Sequence, residues 1–340
     1  MTATMDDGPE LAPVGTWGRY ALLGRIRSGA IETWRAREET SVGGLRDVAL
    51  HRVMPGASGG SLLADARLAV QVSHPHLEHV YDYGEVDGIA FVATEWNPGV
   101  SLDALVSTLG AMSPPLAARA VADVAAALHT LHRADDALGR PLEIVHRGVR
   151  AETVHIGLDG RVTLRGRVPS GDLAPQSPEE CAGLMTDGRA DVFGLGAVFV
   201  EALTGSAPFR RETADATREA IESQAVPTVG HGLDELARRA LAKDPDSRFE
   251  SAGALAVALE RWLAEQGHTV EQHALAGLAT NAVLQLPVEL DRAASVAPPR
   301  KVEAPTLETT GPPDRPWNLI FGLALLLVAG ILAAVLFGLD

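Results

Sequence analysis

The spacing of apolar residues changes once along this chain, near residue 97, and that change limits the fold more than any other feature. From about residue 17 to 97, short runs alternate apolar and polar residues, the signature of half-buried strands. "RYALLGRIRSG" and "IETWRAREE" flank a glycine turn, "DVALHRVM" is a third run, and "HVYDYGEVDGIAFVATEW" is a hairpin through Asp87-Gly88. In this region only "SLLADARLAVQV" has helical spacing, with Leu62, Leu63, Ala66, Ala69 and Val70 on one side. From about residue 98 to 265 the period becomes helical. "PLAARAVADVAAALHTLHRA" begins near Pro114 and Pro115, and "DVFGLGAVFVEALTG" ends at Gly205. "LDELARRALAKD" stops before Pro245, and "SAGALAVALERWLAEQG" is the last clear helix.

The flanks have a different character. Residues 1–15 read as a disordered tail and lack the basic-then-apolar pattern of a signal peptide. Residues 266–316 read as a linker whose second half, "APPRKVEAPTLETTGPPDRP", is extended and flexible. Within it, "HALAGLATNAVLQL" is readable as one more helix. Residues 317–339 form a transmembrane helix on this reading: Leu319 to Leu339 is uncharged and almost wholly apolar, and about 20 helical residues span a bilayer. Arg300, Lys301 and Arg315 precede the span and only Asp340 follows it. The positive-inside rule then keeps the large N-terminal part in the cytoplasm, as a single-pass, tail-anchored protein of the inner membrane. Gly330, Ala334 and Gly338 repeat every four residues. Such a stripe either packs two copies into a homodimer or is the ordinary composition of a membrane helix.

The chain has 340 residues, enough for about two domains or for one large domain with extensions. Its net charge of −15 argues against a nucleic-acid partner. The lone cysteine, Cys181, rules out an intrachain disulfide and fits a reducing compartment.

A series of landmarks in fixed order carries a resemblance. "FVATEW" resembles the strand entering the hinge of a protein kinase, with Thr94 in the gatekeeper slot, and "SHPHLEHVYDYGE" resembles the linker from the small lobe's helix to its fourth strand. "HRGVRAETVHIGLDGRVTL" resembles the catalytic loop and the hairpin after it, "SPEE" the end of the activation segment, and "LAKDPDSRFESA" the segment holding the large lobe's structural arginine. The chain is similar to eukaryotic-type (Hanks-type) bacterial serine/threonine protein kinases over about residues 17–265. The resemblance implies an α+β, bilobal kinase-like domain over 16–265, with a small β-rich N-lobe (16–96) and a larger helical C-lobe (97–265), plus the C-terminal membrane helix.

Kinase chemistry is positioning plus charge neutralisation around a triphosphate, and few groups do most of it. The resemblance places Arg27 in the first slot of the glycine-rich loop, Gly29 in the second, and nothing in the third. His51 stands in the slot of the strand lysine; it is shorter and mostly neutral at pH 7. Asp65 stands in the slot of the helix glutamate. Gly148 takes the place of the catalytic base, Thr153 that of the metal-binding amide, and Gly166 that of the metal-binding aspartate, with Arg167 and Val168 after it. The nucleotide-contact positions fall on Arg27, Gly29, Ala49, His51, Thr94, Glu95 and Trp96. The scaffold positions are kept: His146, Glu179 and Arg248 as a buried pair, and Asp191 under the catalytic loop.

Selective loss of reactive groups implies a pseudokinase acting as a scaffold or allosteric regulator. The alternatives are an active atypical kinase, drawing on Glu152, Asp159 or Asp172 as substitute acids, and a metal-independent nucleotide sensor. No cofactor is expected beyond ATP without magnesium. The expected partners are the membrane and a protein, either an active kinase or a phosphoprotein. Arg147, Arg150, Arg161, Arg165 and Arg167 line the former active cleft on this reading, as candidates for docking an anion or as ordinary surface arginines. His74, His76 and His79 read as part of the family's linker rather than as metal ligands, since Glu78 is the one acid placed to complete such a set.

Overall fold

The computed structural model describes residues 12–54, 57, 59–166 and 177–286. Residues 1–11 of the expected tail, residues 287–316, the span at 317–339, Arg167 and Asp172 lie outside the described residues, whereas the end of that tail is ordered: the Val14 amide donates to the Leu22 carbonyl at 2.8 Å and Gly15 begins the first strand. Among the described residues no helix is long and apolar enough to cross a membrane.

The alternating segment forms a six-stranded antiparallel sheet of order β1-β2-β3-β4-β6-β5. Its strands are β1 (Gly15–Trp17), β2 (Tyr20–Arg27), β3 (Ile31–Glu39), β4 (Leu45–Val53), β5 (Val80–Val86) and β6 (Ile89–Glu95). The β5–β6 turn holds Asp87 at φ 53° and Gly88 at φ 74°, the left-handed pair that a two-residue hairpin needs. One face buries Trp17, Tyr20, Leu22, Trp34 and Phe91. The other packs Ile31, Val53 and Val92 against Leu62 and Ala66 of α1 (Gly60–Ala69).

The helical part contains a three-stranded sheet of β7 (Gly99–Ser101), which precedes its first helix, and β8 (Val154–Gly157) and β9 (Val162–Leu164), which come after its second. Ser101 caps α2 (Leu102–Leu109), its hydroxyl accepting from the Ala104 amide at 3.2 Å. In α3 (Pro114–His132) the two prolines occupy the first turn, where no amide hydrogen is missed. After the short α4 (Pro178–Cys181), α5 (Gly188–Thr204) is almost wholly buried and ends at Gly205, which holds φ 77°. The lobe is completed by α6 (Ala214–Ser223), α7 (Asp234–Ala240), α8 (Ala252–Glu265) and α9 (Gln272–Gln285).

The folded body therefore continues past residue 265, where the sequence places the start of a linker. α9 packs on α2, β7 and β8 and buries Leu275, Ala279 and Ala282. Its first turn sits on the β8–β9 turn so closely that a Cβ at Gly160 would lie 2.0 Å from the Gln272 carbonyl oxygen. Small residues on one face permit this approach, and the same smallness weakens the amphipathic signal.

Candidate functional site

The site begins at the loop from Ile144 to Thr153, held by Asp191 of α5. Asp191 is 2% exposed; its carboxylate accepts the backbone amides of His146 (2.7 Å) and Arg147 (2.8 Å) and the Nε2–H of His132 (2.8 Å). Arg147 sits at φ 52°, so the carboxylate stabilises a backbone turn that a non-glycine residue disfavours. His146 donates through Nε2 to the Arg165 carbonyl at 3.1 Å, tying the loop to the end of β9. The Thr153 hydroxyl donates to the Gly148 carbonyl at 2.7 Å and accepts the Arg150 amide at 3.0 Å, so it is engaged within the loop. Farther down, Arg248 grips Glu179 with two bonds of 2.7 Å, both side chains buried, and donates to the Ala242, Arg189 and Lys243 carbonyls.

On the sheet side, β4 carries His51 into the interior, 7% exposed. Its ring nitrogens meet the hydroxyls of Thr33 (3.1 Å) and Thr94 (3.3 Å), so both are taken by neutral groups. Burial pushes its pKa down to about 3, with Arg165 and Arg27 acting in the same direction, and the ring is neutral at pH 7. Arg52, next in the strand, bonds Glu32 at 2.8 Å and stacks on Trp17 and Trp34. Asp65 is half-buried on α1. Ala49 and Thr94 are buried, and Trp96 lies under the Arg35 guanidinium. Arg27 and Gly29 are exposed, Gly29 at φ 146°, a value that favours glycine.

The floor between the lobes is polar. Leu77 and Leu164 form a parallel bridge, in which the Leu164 amide donates to the His76 carbonyl (2.8 Å) and the Glu78 amide to the Leu164 carbonyl (2.9 Å). This bridge brings the Glu78 carboxylate under Gly166: Oε2 accepts the Gly166 amide at 3.1 Å, and Oε1 lies 3.7 Å from Arg165 Nε. The Glu78 side chain is 11% exposed. Burial raises its pKa from the ordinary carboxylate range, and Arg165, the Gly166 amide and a hydrogen bond from Thr94 oppose that shift. His51 and Thr94 are thus hydrogen-bonded on the sheet side of the cleft, and Glu78 and Gly166 on the floor.

The five arginines do not form a free basic cluster. Arg161 clamps Glu95 with both guanidinium nitrogens and donates to the Pro75 carbonyl at 3.3 Å. Arg165 has Glu78 and the Asn97 carbonyl at 3.4 Å. Arg147 is exposed, Arg150 is half-buried with interactions of its own, and Arg167 lies outside the described residues. Of the substitute acids, Glu152 bonds Arg210 at 2.6 Å, and Asp159 caps its own turn through the Arg161 amide at 2.9 Å. The histidine cluster is held by structure: His76 Nδ1 donates to the Val162 carbonyl at 2.6 Å. No group of three or more His, Cys, Asp and Glu among the described residues could hold a metal. Sequence reasoning missed Glu78 as a cleft residue. The available signal was an acid at the start of a strand, beside the His-Pro linker.

No family model matches the chain. Serine/threonine-protein kinase PknH of Mycobacterium bovis is 30% identical over 268 residues, which is 73% of this chain and 42% of PknH. Tyrosine-protein kinase MasK of Myxococcus xanthus is 26% identical over 281 residues, 73% of this chain and 44% of MasK. The chain spans less than half the length of these curated relatives. A solved PknI kinase domain of Mycobacterium tuberculosis matches with a TM-score of 0.59 at 23% identity, covering 75% of this chain and 99% of that domain. The fold is thus the bilobal protein kinase fold. More narrowly, the chain belongs with the bacterial Hanks-type serine/threonine kinases as their homologue.

Proposed function

We propose that this chain is a pseudokinase, a kinase-fold body that does not transfer phosphate and serves as a membrane-anchored scaffold or allosteric partner in signalling. The observation that carries this reading is the state of Gly166. It offers no side chain, and its amide is held by a carboxylate that faces Arg165. Among the described residues the groups present do not fit magnesium: Thr153 keeps its hydroxyl within the loop, and Glu78 is already engaged by the Gly166 amide. Gly148 has nothing to accept a substrate proton, and loss of a general base alone costs about 10²- to 10⁴-fold. His51 is neutral where a fixed cation would meet phosphate. The scaffold pairs, Glu179–Arg248 and Asp191 under the loop, are retained. The apolar run from Leu319 to Leu339 supports anchoring with the kinase-like domain in the cytoplasm. An active kinase or a phosphoprotein is the kind of partner this reading assigns.

The test is transfer from radiolabelled ATP, with magnesium and separately with manganese, to the protein itself and to a generic substrate protein. The expected result is no incorporation above a protein-free control. Incorporation that rises in proportion to protein concentration overturns the reading.

A further inference from the structure

α9 lies past residue 265, beyond the stretch that resembles the kinase family, and packs on α2, β7 and β8. Its first turn sits on the β8–β9 turn. Gly160 holds φ 81° there, and a Cβ on it would lie 2.0 Å from the Gln272 carbonyl oxygen and 2.9 Å from the Ala276 amide nitrogen. Turn and helix therefore meet backbone to backbone, at a position that only glycine can fill.

The same turn is tied to the hinge, residues 95–98. Arg161, next to Gly160, bonds the Glu95 carboxylate through both terminal nitrogens. The Leu158 amide donates to the Pro98 carbonyl at 2.8 Å. His155 Nε2–H donates to the Asn97 carbonyl at 3.0 Å, and the Asn97 side chain comes so near Gly157 that a Cβ there would meet it at 2.6 Å. The turn from Gly157 to Arg161 thus has α9 against it at Gly160 and the hinge against it at both ends.

α9 is the weakly held partner in this arrangement. Three of its 14 residues are buried, Leu275, Ala279 and Ala282, against twelve of 17 in α5. No side chain caps its first turn. One leucine and two alanines contribute little apolar burial beside the core helices, and segments held in this way open before the whole molecule does. The turn has little cover of its own: Leu158 and Asp159 are exposed, and among the described residues the groups nearest the Cβ position of Gly160 belong to α9.

We propose that α9 is a releasable strap, whose undocking frees the turn from Gly157 to Arg161 and with it that turn's hold on the hinge. A pull on the chain after residue 286 then reaches the hinge through α9, Gly160 and Arg161. The inference goes beyond the pseudokinase reading and stands whether or not the cleft transfers phosphate.

The experiment is amide hydrogen exchange of the 340-residue chain in detergent, read by mass spectrometry with fragmentation to single residues. The reporters are the Leu158 amide, bonded to Pro98, the Gly160 amide, bonded to the Gly157 carbonyl at 2.8 Å, and the amides of α9, α3 and α5. In a series of low urea concentrations, the protection of Leu158 and Gly160 should fall together with that of α9, and at least about tenfold below that of mid-α3 and mid-α5. Ala279→Glu puts a carboxylate at a position of α9 that is 0% exposed and displaces the helix. The variant should lower protection at Leu158 and Gly160 at least about tenfold and leave α3 and α5 within about twofold of the parent. Loss of α9 protection in the variant with Leu158 and Gly160 unchanged overturns the proposal. So does a parent in which those two amides exchange with α3 and α5 rather than with α9. Should Ala279→Glu fail to fold or keep α9 docked, the parent's urea series still decides.

Discussion

Glu78 and Gly166 lie 88 residues apart in sequence and meet in the cleft, where the carboxylate of one accepts the amide hydrogen of the other at 3.1 Å. The same carboxylate faces Arg165 at 3.7 Å. An anion entering the cleft must therefore displace an internal anion before it reaches that cation. Glu78→Ala removes the competitor and leaves Arg165 and the Gly166 amide facing the space. With about 1 mM ATP and no divalent metal, the unmodified chain should shift its melting temperature by less than about 1 °C, and the variant by about 2–4 °C. Equal shifts for the two proteins contradict the competition.

The absence of an acid at position 166 is not steric. Among the described residues, a Cβ built on Gly166 meets Glu78 Oε2 alone, at 3.7 Å, an ordinary contact. Gly166→Asp should fold with a melting temperature within a few degrees of the parent and place a second carboxylate beside Glu78. Paired carboxylates attract divalent cations. Manganese titration followed by electron paramagnetic resonance should detect a bound ion in the variant and none in the parent. A variant that folds but binds no manganese removes Glu78 from any account of the metal slot.

The buried bidentate pair of Glu179 and Arg248 supports the large lobe. Removing one partner leaves an uncompensated charge in the interior, which costs about 3–5 kcal/mol. Arg248→Ala also strands the carbonyls of Ala242, Lys243 and Arg189. Urea unfolding of the variant should show a loss of that size. A loss below about 1 kcal/mol places the pair among those that contribute little.

Much of this architecture was legible because its signals are local. Asp87-Gly88 fixes a hairpin by its own backbone, Pro114 and Pro115 open a helix, and Gly205 closes one. The loop at His146 was legible from its neighbours in sequence. What escaped depends on pairs distant in sequence. Arg161 and Arg165 read as free cations until the fold brings Glu95 and Glu78 to them across 66 and 87 residues. Glu152 read as a candidate substitute acid until Arg210, 58 residues later, came against it. α9 hid for another reason. Its buried side holds Leu275, Ala279 and Ala282, and alanines at a close contact give little apolar contrast with the exposed side.

The carboxyl of Glu201 should make stability depend on pH near neutrality. Its folded pKa is about 7, raised above the usual carboxylate value first by burial. A raised carboxyl pKa means that the folded state holds its proton where the unfolded state has released it. Its contribution is therefore fully present below the unfolded pKa, near 4.5, and is lost as pH rises through about 7. The loss amounts to about 3 kcal/mol between these limits. Glu201→Gln cannot ionise and should not lose it. The variant should match the parent at about pH 4.5 and exceed it by up to about 3 kcal/mol at pH 8, with most of the gap opening between pH 5 and 7. Urea unfolding at several pH values, with the slope checked for constancy, measures the gap directly. A gap that stays flat across that range means that Glu201 is ionised in the fold throughout, so Arg210 serves it better than a separation of 4.0 Å implies.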